Sequence, residues 1–96
     1  MNTQDKLNLI LDAMRREYAR ADIAYPAYHS MHEGAAVIRE EFDELWDCVK
    51  RSKSTSADGV TGIEALQVAT TAVRFILDLC NIDEFAATLS GFERTR

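Results

Sequence analysis

The stretch that decides the fold is residues 37–49, which read VIREEFDELWDCV. An α-helix turns by about 100° per residue, and at that angle the apolar side chains of this stretch gather on one arc. That arc holds Ile38, Phe42, Leu45, Trp46 and Val49. Most of the charged residues fall on the opposite side, so the pattern predicts an amphipathic helix with one face against a core.

Two acids of this stretch, Glu41 and Glu44, are one helical turn apart. Glu41 projects beside Ile38 and Leu45 at the edge of the apolar arc, and Glu44 projects between Val37 and Glu40. Asp43 and Asp47 project to the far side and are predicted to be solvated, while the position of Glu40 is ambiguous. Burying an unpaired carboxylate costs on the order of several kcal/mol, so Glu41 and Glu44 are expected to meet cations, hydrogen-bond donors or a metal. The simpler alternative is surface ion pairing with Arg39, Lys50, Arg15 or Arg16.

The rest of the chain also has helical patterns, and no convincing strand appears. Ser30 with Glu33 and Asn81 with Glu84 predict capping boxes at the starts of two helices. Helices are expected at about residues 3–21, 31–50, 62–80 and 82–90, with a mobile polar loop at about 52–60. We therefore expect a single all-α domain over residues 1–96, a small bundle of about four helices.

The size of the chain limits its core. A chain of 96 residues forms one small domain, whose stability is modest unless subunits or ligands add to it. We therefore expect the bundle to complete its core by oligomerisation. Cys48 and Cys80 lie in apolar periodic stretches and are expected to be buried free thiols.

Charge and hydropathy restrict the partners. The 16 acidic residues outnumber the 11 basic ones, for a net charge of −5. This balance argues against nucleic acid or an anionic membrane as the main partner, because both attract clustered Lys and Arg. No apolar stretch approaches the roughly 20 residues of a membrane span, and the polar N-terminus is not a signal peptide. The expectation is a soluble, cytoplasmic protein.

The third helix has a polar stripe about 80° wide on an otherwise largely apolar surface. The stripe consists of Glu64, Gln67, Thr71, Arg74 and Asp78. It forms either a solvent-facing seam or the lining of a polar cavity between helices. Two alternatives need no ligand: Glu64 as the third residue of a capping box with Thr61, and Arg74 as the ion-pair partner of Asp78.

Three segments carry a resemblance to a known family: 29–34 (HSMHEG), 37–47 (VIREEFDELWD) and 64–75 (EALQVATTAVRF). Together they resemble the MazG-like branch of the all-α nucleoside triphosphate pyrophosphohydrolases, over about residues 29–79. The resemblance implies a helical, obligately oligomeric protein in which acids from two helices hold Mg²⁺. The metal would bind a nucleoside triphosphate and assist attack of water at the α-phosphorus, releasing the monophosphate and pyrophosphate.

The resemblance also implies a set of metal ligands. The family pattern is Glu-x-x-Glu on one helix and Glu-x-x-Asp on the next, and Glu41, Glu44 and Glu64 match it. Gln67 stands where the pattern has Asp. An amide oxygen is still a hard ligand for Mg²⁺ or Mn²⁺, although one negative charge is lost.

Other residues are assigned to the reaction itself. Either Glu40 or Glu41 is expected to act as the base that orients water. Substrate phosphates are expected to meet Arg74 or the cations near the loop, Lys50, Arg51 and Lys53. His29 and His32 are interpreted as capping or packing residues, and Trp46 as part of the core or of a subunit interface.

The prediction is a Mg²⁺-dependent nucleoside triphosphate pyrophosphohydrolase that acts in nucleotide pool housekeeping. Its partners would be a nucleoside triphosphate and other copies of itself, as a homodimer or a dimer of dimers. The alternatives are a non-catalytic helical oligomer and a nucleotide- or metal-binding interaction protein derived from the same family.

Overall fold

The computed structural model describes residues 1–95, and within that range it contains four helices and no strand. The helices are α1 (Thr3–Ala24), α2 (Met31–Arg51), α3 (Gly59–Leu79) and α4 (Ile82–Arg94). The prediction of an all-α chain with four helices is confirmed.

Each helix begins at a polar side chain that accepts a hydrogen bond from a backbone N–H three residues further on. The four capping residues are Asn2, Ser30, Asp58 and Asn81, with donor–acceptor distances of 2.8, 3.1, 2.8 and 3.0 Å. Such caps satisfy amides that have no partner inside the helix, so they set where each helix starts. Glu33 departs from the predicted box, because its carboxylate accepts from the backbone N–H of His29.

The start of α3 differs from the predicted residue 62. Asp58 caps the helix through the N–H of Thr61, so α3 already begins at Gly59. The segment between α2 and α3 is therefore residues 52–58, shorter than the predicted loop. Since Thr61 lies inside the helix, the alternative that made Glu64 part of a Thr61 capping box is wrong.

The helices α2 and α3 pack against each other most extensively, and α1 packs on α3. Among the described residues, α4 has no comparable packing against another helix. Gly34 lies where α2 approaches α3: a Cβ atom there would be 2.7 Å from Cδ2 of Phe75 and 3.1 Å from Cδ1 of Leu79. A larger residue at this position would displace the Phe75 ring, so glycine favours the close packing of α2 on α3.

The face of α2 that packs in the structure is not the apolar arc of the sequence. Gly34 is buried, and the half-buried residues of α2 are Val37, Ile38, Glu41, Leu45 and Cys48. In helical projection this packed face is centred near Glu41, about 80° from the centre of the apolar arc. Phe42, Trp46 and Val49 are consequently 45%, 49% and 45% exposed.

Much apolar surface stays open across the described chain. The accessible surface is 7521 Å², whereas a compact monomer of 10.8 kDa has about 5,500 Å². Within residues 1–95, Tyr28 is the one hydrophobic side chain that counts as buried. The prediction of two buried thiols is wrong for Cys80, which is exposed, while Cys48 is half-buried.

One helix, α3, is long and apolar enough to cross a membrane by length and composition alone. The sequence pattern predicts no such stretch. A core helix of a helical bundle meets the same criteria, and in this chain α3 is the helix on which both α1 and α2 pack.

Candidate metal centre and adjoining cavity

Three of the four predicted metal ligands come together in the structure. Glu41 and Glu44 are one turn apart on α2, and the packing of α2 on α3 brings Glu64 to them. One carboxylate oxygen from each residue lies within 4.8 Å of those of the other two. Glu41 and Glu64 are half-buried and Glu44 is exposed. Three hard oxygen donors on two facing helices fit the ligand preference of Mg²⁺, which takes its remaining oxygens from water or substrate.

Without a bound cation, the three carboxylates of the cluster repel one another. Burial raises the pKa of the Glu41 carboxyl above its usual value of 4.5, and the negative charges of Glu44 and Glu64 raise it further. A hydrogen bond with Glu44 acts in the same direction. A bound cation would remove the like-charge repulsion, so the arrangement favours metal binding.

The structure does not form the surface ion pairs that were the simpler explanation of these acids. Within residues 1–95, Arg15 pairs with Asp12 at 3.0 Å and Lys50 pairs with Asp47 at 3.3 Å. No ion pair in that range involves Glu41.

Gln67, the fourth predicted ligand, has an unpredicted partner on α1. Its Nε2 donates to Oε2 of Glu17 on α1 at 3.0 Å. The other oxygen of Glu17, Oε1, lies 2.7 Å from Nη2 of Arg20. The sequence contains a signal for this role, because Glu17 projects beside Ile10 and Ala21 at the edge of the apolar arc of α1.

A cavity of about 430 Å³ adjoins the cluster at Glu41. Its volume falls in the range of small-molecule sites. The polar part of its lining consists of Glu33, Glu40, Glu41, Gln67, Thr70, Thr71 and Arg74. The less polar part consists of Ala21, Tyr25, Pro26, Tyr28 and Val37. The polar stripe of α3 therefore lines a cavity at Gln67, Thr71 and Arg74, which was one of its two predicted roles.

Arg74 attaches the segment between α1 and α2 to α3. The residue is 3% exposed, and its Nη2 donates to the carbonyl oxygens of Tyr25 and Pro26 at 2.9 and 2.8 Å. Its Nε lies 3.2 Å from Oδ2 of Asp78, which also accepts from the N–H of Tyr28. The predicted Arg74–Asp78 ion pair is confirmed. The guanidinium borders the cavity with two of its nitrogens already engaged, and phosphate binding by Arg74 stays a prediction.

The other predicted phosphate ligands lie apart from the cavity. Lys50 follows Glu41 by nine residues, about 13 Å along the helix axis, and its Nζ pairs with Asp47. Lys53 is exposed in the segment 52–58. As far as the described residues go, neither lysine borders the cavity.

The remaining candidates take positions consistent with simple roles. Glu40 is exposed and borders the cavity beside Glu41, so both proposed bases reach the same space. His29 is exposed, and its Nδ1 lies 3.5 Å from Oε2 of Glu33 at the start of α2. His32 is also exposed.

No family model, curated protein or solved structure matches this chain.

Proposed function

We propose that this protein is a Mg²⁺-dependent nucleoside triphosphate pyrophosphohydrolase of nucleotide pool housekeeping. The observation that carries the proposal is the convergence of Glu41, Glu44 and Glu64 beside a cavity of about 430 Å³. The cluster offers ligands for Mg²⁺ or Mn²⁺, and the cavity offers room for the nucleoside part of the substrate. The resemblance of residues 29–79 to the MazG-like family supports the same assignment.

The residues of the candidate site have separate roles in the proposed hydrolysis. A bound divalent cation would neutralise phosphate charge and favour attack at the α-phosphorus. Glu41 or Glu40 accepts a proton from the attacking water. The new bond joins the water oxygen to the α-phosphorus, and the bond from that phosphorus to the α–β bridging oxygen breaks. Nucleoside monophosphate and pyrophosphate leave.

The proposal includes assembly into a homodimer or a dimer of dimers. The chain exposes about 2,000 Å² more than a compact monomer of its mass, and a standard interface buries about 800 Å² per partner. Phe42, Trp46 and Val49 form an exposed apolar strip on α2 that a second copy would cover. The central helix α3 also has surface to bury, since Thr70 and Arg74 are its only fully buried residues.

A non-catalytic helical oligomer, binding a nucleotide or a metal, is the second candidate. Two observations favour it: Gln67 contributes no charge to the cluster, and Arg74 is the one Lys or Arg among the described residues that line the cavity. Because Arg74 is already bonded to Tyr25, Pro26 and Asp78, it has limited capacity for a triphosphate.

The two candidates differ in pyrophosphate release. Purified protein is incubated with a broad panel of ribo- and deoxyribonucleoside triphosphates, with Mg²⁺ and with Mn²⁺, and pyrophosphate is measured. We expect release from at least one nucleotide and a loss of about 100-fold or more in Glu41→Gln, since general bases contribute roughly that factor. Asp43→Asn, an exposed acid of the same helix, is the matched control and should keep full activity. Absence of release across the panel would contradict the enzyme and favour the binding protein.

A further inference from the structure

We propose that Glu17 of α1 is a positioning residue of the metal centre, which orients the side chain of Gln67 so that its oxygen is presented to the metal. This inference rests on the proposed function, because it assumes a divalent cation at Glu41, Glu44 and Glu64. It adds a residue from a third helix to a site otherwise built by α2 and α3.

The chemistry of the two side chains sets the orientation. An ionised carboxylate only accepts hydrogen bonds, whereas a carboxamide has a donor nitrogen and an acceptor oxygen. The contact of 3.0 Å between Gln67 and Glu17 therefore requires Nε2 of Gln67 to face Glu17. The contact therefore leaves Oε1, the atom able to bind a cation, available to another partner.

Arg20 holds Glu17 in place for this task. Nη2 of Arg20 lies 2.7 Å from Oε1 of Glu17, while the other oxygen receives the bond from Gln67. The side chain of Glu17 is 22% exposed, so the contact is partly shielded from water. Because Arg20 balances its charge, Glu17 contributes mainly orientation to the site.

Gln67 is placed where an orientation matters. It lies one turn beyond Glu64 on α3, and it borders the same cavity as Glu41. A carboxylate at position 67 would present an oxygen whichever way it turned. A carboxamide presents an oxygen in one orientation and an N–H in the other, and the N–H would repel a cation. A carboxamide at position 67 therefore presents its oxygen to a cation reliably only if a partner such as Glu17 fixes its orientation.

The test measures Mn²⁺ affinity without nucleotide, by calorimetry and by electron paramagnetic resonance. Glu17→Leu removes the acceptor and should weaken Mn²⁺ binding about ten-fold or more, the usual effect of losing a partner behind a ligand. Glu17→Gln removes the same charge and keeps one acceptor oxygen. The side chain of Arg20 is 72% exposed and can turn to water, so that oxygen is left to Gln67 and the affinity should stay within about three-fold of wild type. Asp12→Leu, an exposed acid of the same helix paired with Arg15, is the control for charge at a distance.

A second pair of variants keeps the test decisive if Glu17→Leu folds poorly. In the Gln67→Asp variant, either oxygen of the carboxylate can bind the metal, so the orientation of the side chain no longer matters. Adding Glu17→Leu to this variant should therefore not weaken Mn²⁺ binding. Nitrogen-edited NMR gives an independent readout: the Gln67 side-chain amide, identified by its absence in Gln67→Asp, should shift in Glu17→Leu and little in Glu17→Gln.

The outcomes separate this inference from the proposed activity. Equal Mn²⁺ affinity in wild type and Glu17→Leu would overturn the role of Glu17 while leaving pyrophosphate release untouched. Equal losses in Glu17→Leu and Glu17→Gln would overturn it too, since charge alone would then explain them. If the variants show the expected Mn²⁺ affinities but the protein releases no pyrophosphate, the role of Glu17 would be supported and the enzymatic function would be rejected. Wild-type protein that binds no Mn²⁺ would reject the metal centre and both proposals.

Discussion

Two sides of α2 end in opposite environments. Glu41 lies at the centre of the face that packs on α3, where it joins Glu64 and borders a cavity. Trp46 is about 140° further round the helix and is 49% exposed. The face of α2 that packs on α3 therefore encloses a carboxylate, while the side with the largest apolar group is open to solvent.

Hydrophobic patterning therefore identifies a helix but does not identify which of its faces packs against another element. Burial of apolar area is the main favourable term in folding, so a lone chain would turn the strip of Phe42, Trp46 and Val49 inward. In the structure, Gly34 allows α2 to approach α3 closely on another face, and the charged cluster forms there. We infer that the enclosed side serves the ligand and the open side serves a second copy of the chain.

The largest effect is expected from the buried polar network around Arg74 of α3, which borders the same cavity as Glu41. Arg74→Leu leaves Asp78 buried without its partner, and breaking a buried ion pair in this way costs about 3–5 kcal/mol. Chemical denaturation should show that loss in the free energy of unfolding. Lys50→Ala breaks an exposed pair with Asp47 and should cost no more than about 1 kcal/mol. Similar costs for the two variants would show that the network around Arg74 does not stabilise the fold.

The open side is tested by Trp46→Asp. Loss of an aromatic residue from the centre of an interface typically costs about 2 kcal/mol, so the dissociation constant of the oligomer should rise about thirty-fold or more. Analytical ultracentrifugation measures it, with Asp47→Asn as the control. Because Glu41, Glu44 and Glu64 come from one chain, Mn²⁺ binding should persist in the dissociated protein. An unchanged oligomer, or a wild-type monomer, would contradict the role given to this strip.

Gln67→Asp is expected to have a smaller effect, which destabilises the fold without metal and tightens binding of Mg²⁺. Without metal, the variant loses the donor to Glu17 and brings two negative charges together, which should destabilise the fold by about 1–2 kcal/mol. With Mg²⁺ the added charge should tighten binding about ten-fold and recover that loss. Calorimetry and thermal unfolding with and without Mg²⁺ measure both effects. An unchanged Mg²⁺ affinity would place Gln67 outside the metal centre.

The smallest effect concerns pH. The folded-state pKa of Glu41 is raised above 4.5, so the folded metal-free protein binds this proton more tightly than the unfolded chain does. Its contribution to stability is present at low pH and is lost as the pH rises from 4.5 through the raised pKa. Asp58 acts in the opposite sense and only below its usual pKa of 3.8, because its helix-capping bonds lower that pKa.

Unfolding measured without metal between pH 4.5 and 7 should therefore show a smaller loss of stability in Glu41→Gln than in wild type. Addition of Mg²⁺ should reduce the difference at pH 7, where the cation replaces the proton. Parallel pH profiles for the two proteins would show that Glu41 is not in a strained environment.

The sequence by itself was sufficient for what depends on neighbours along the chain. Ser30 and Asn81 mark helix starts because a cap bonds an amide three residues away. Glu41 and Glu44 share a face because an α-helix repeats every 3.6 residues. The pair Arg74–Asp78 is also set by that repeat, and the structure forms it at 3.2 Å.

Contacts between helices depend on how the helices are rotated and placed, and tertiary packing determines these contacts. The sequence does not specify that α2 turns Glu41 toward Glu64, since a helix can rotate about its axis without changing any local bond. Nor does it show that Glu17 meets Gln67 across 50 residues, a contact that follows from the packing of α1 on α3. Local bonds fix the elements, and the packing of side chains between distant elements fixes which groups meet at the candidate site.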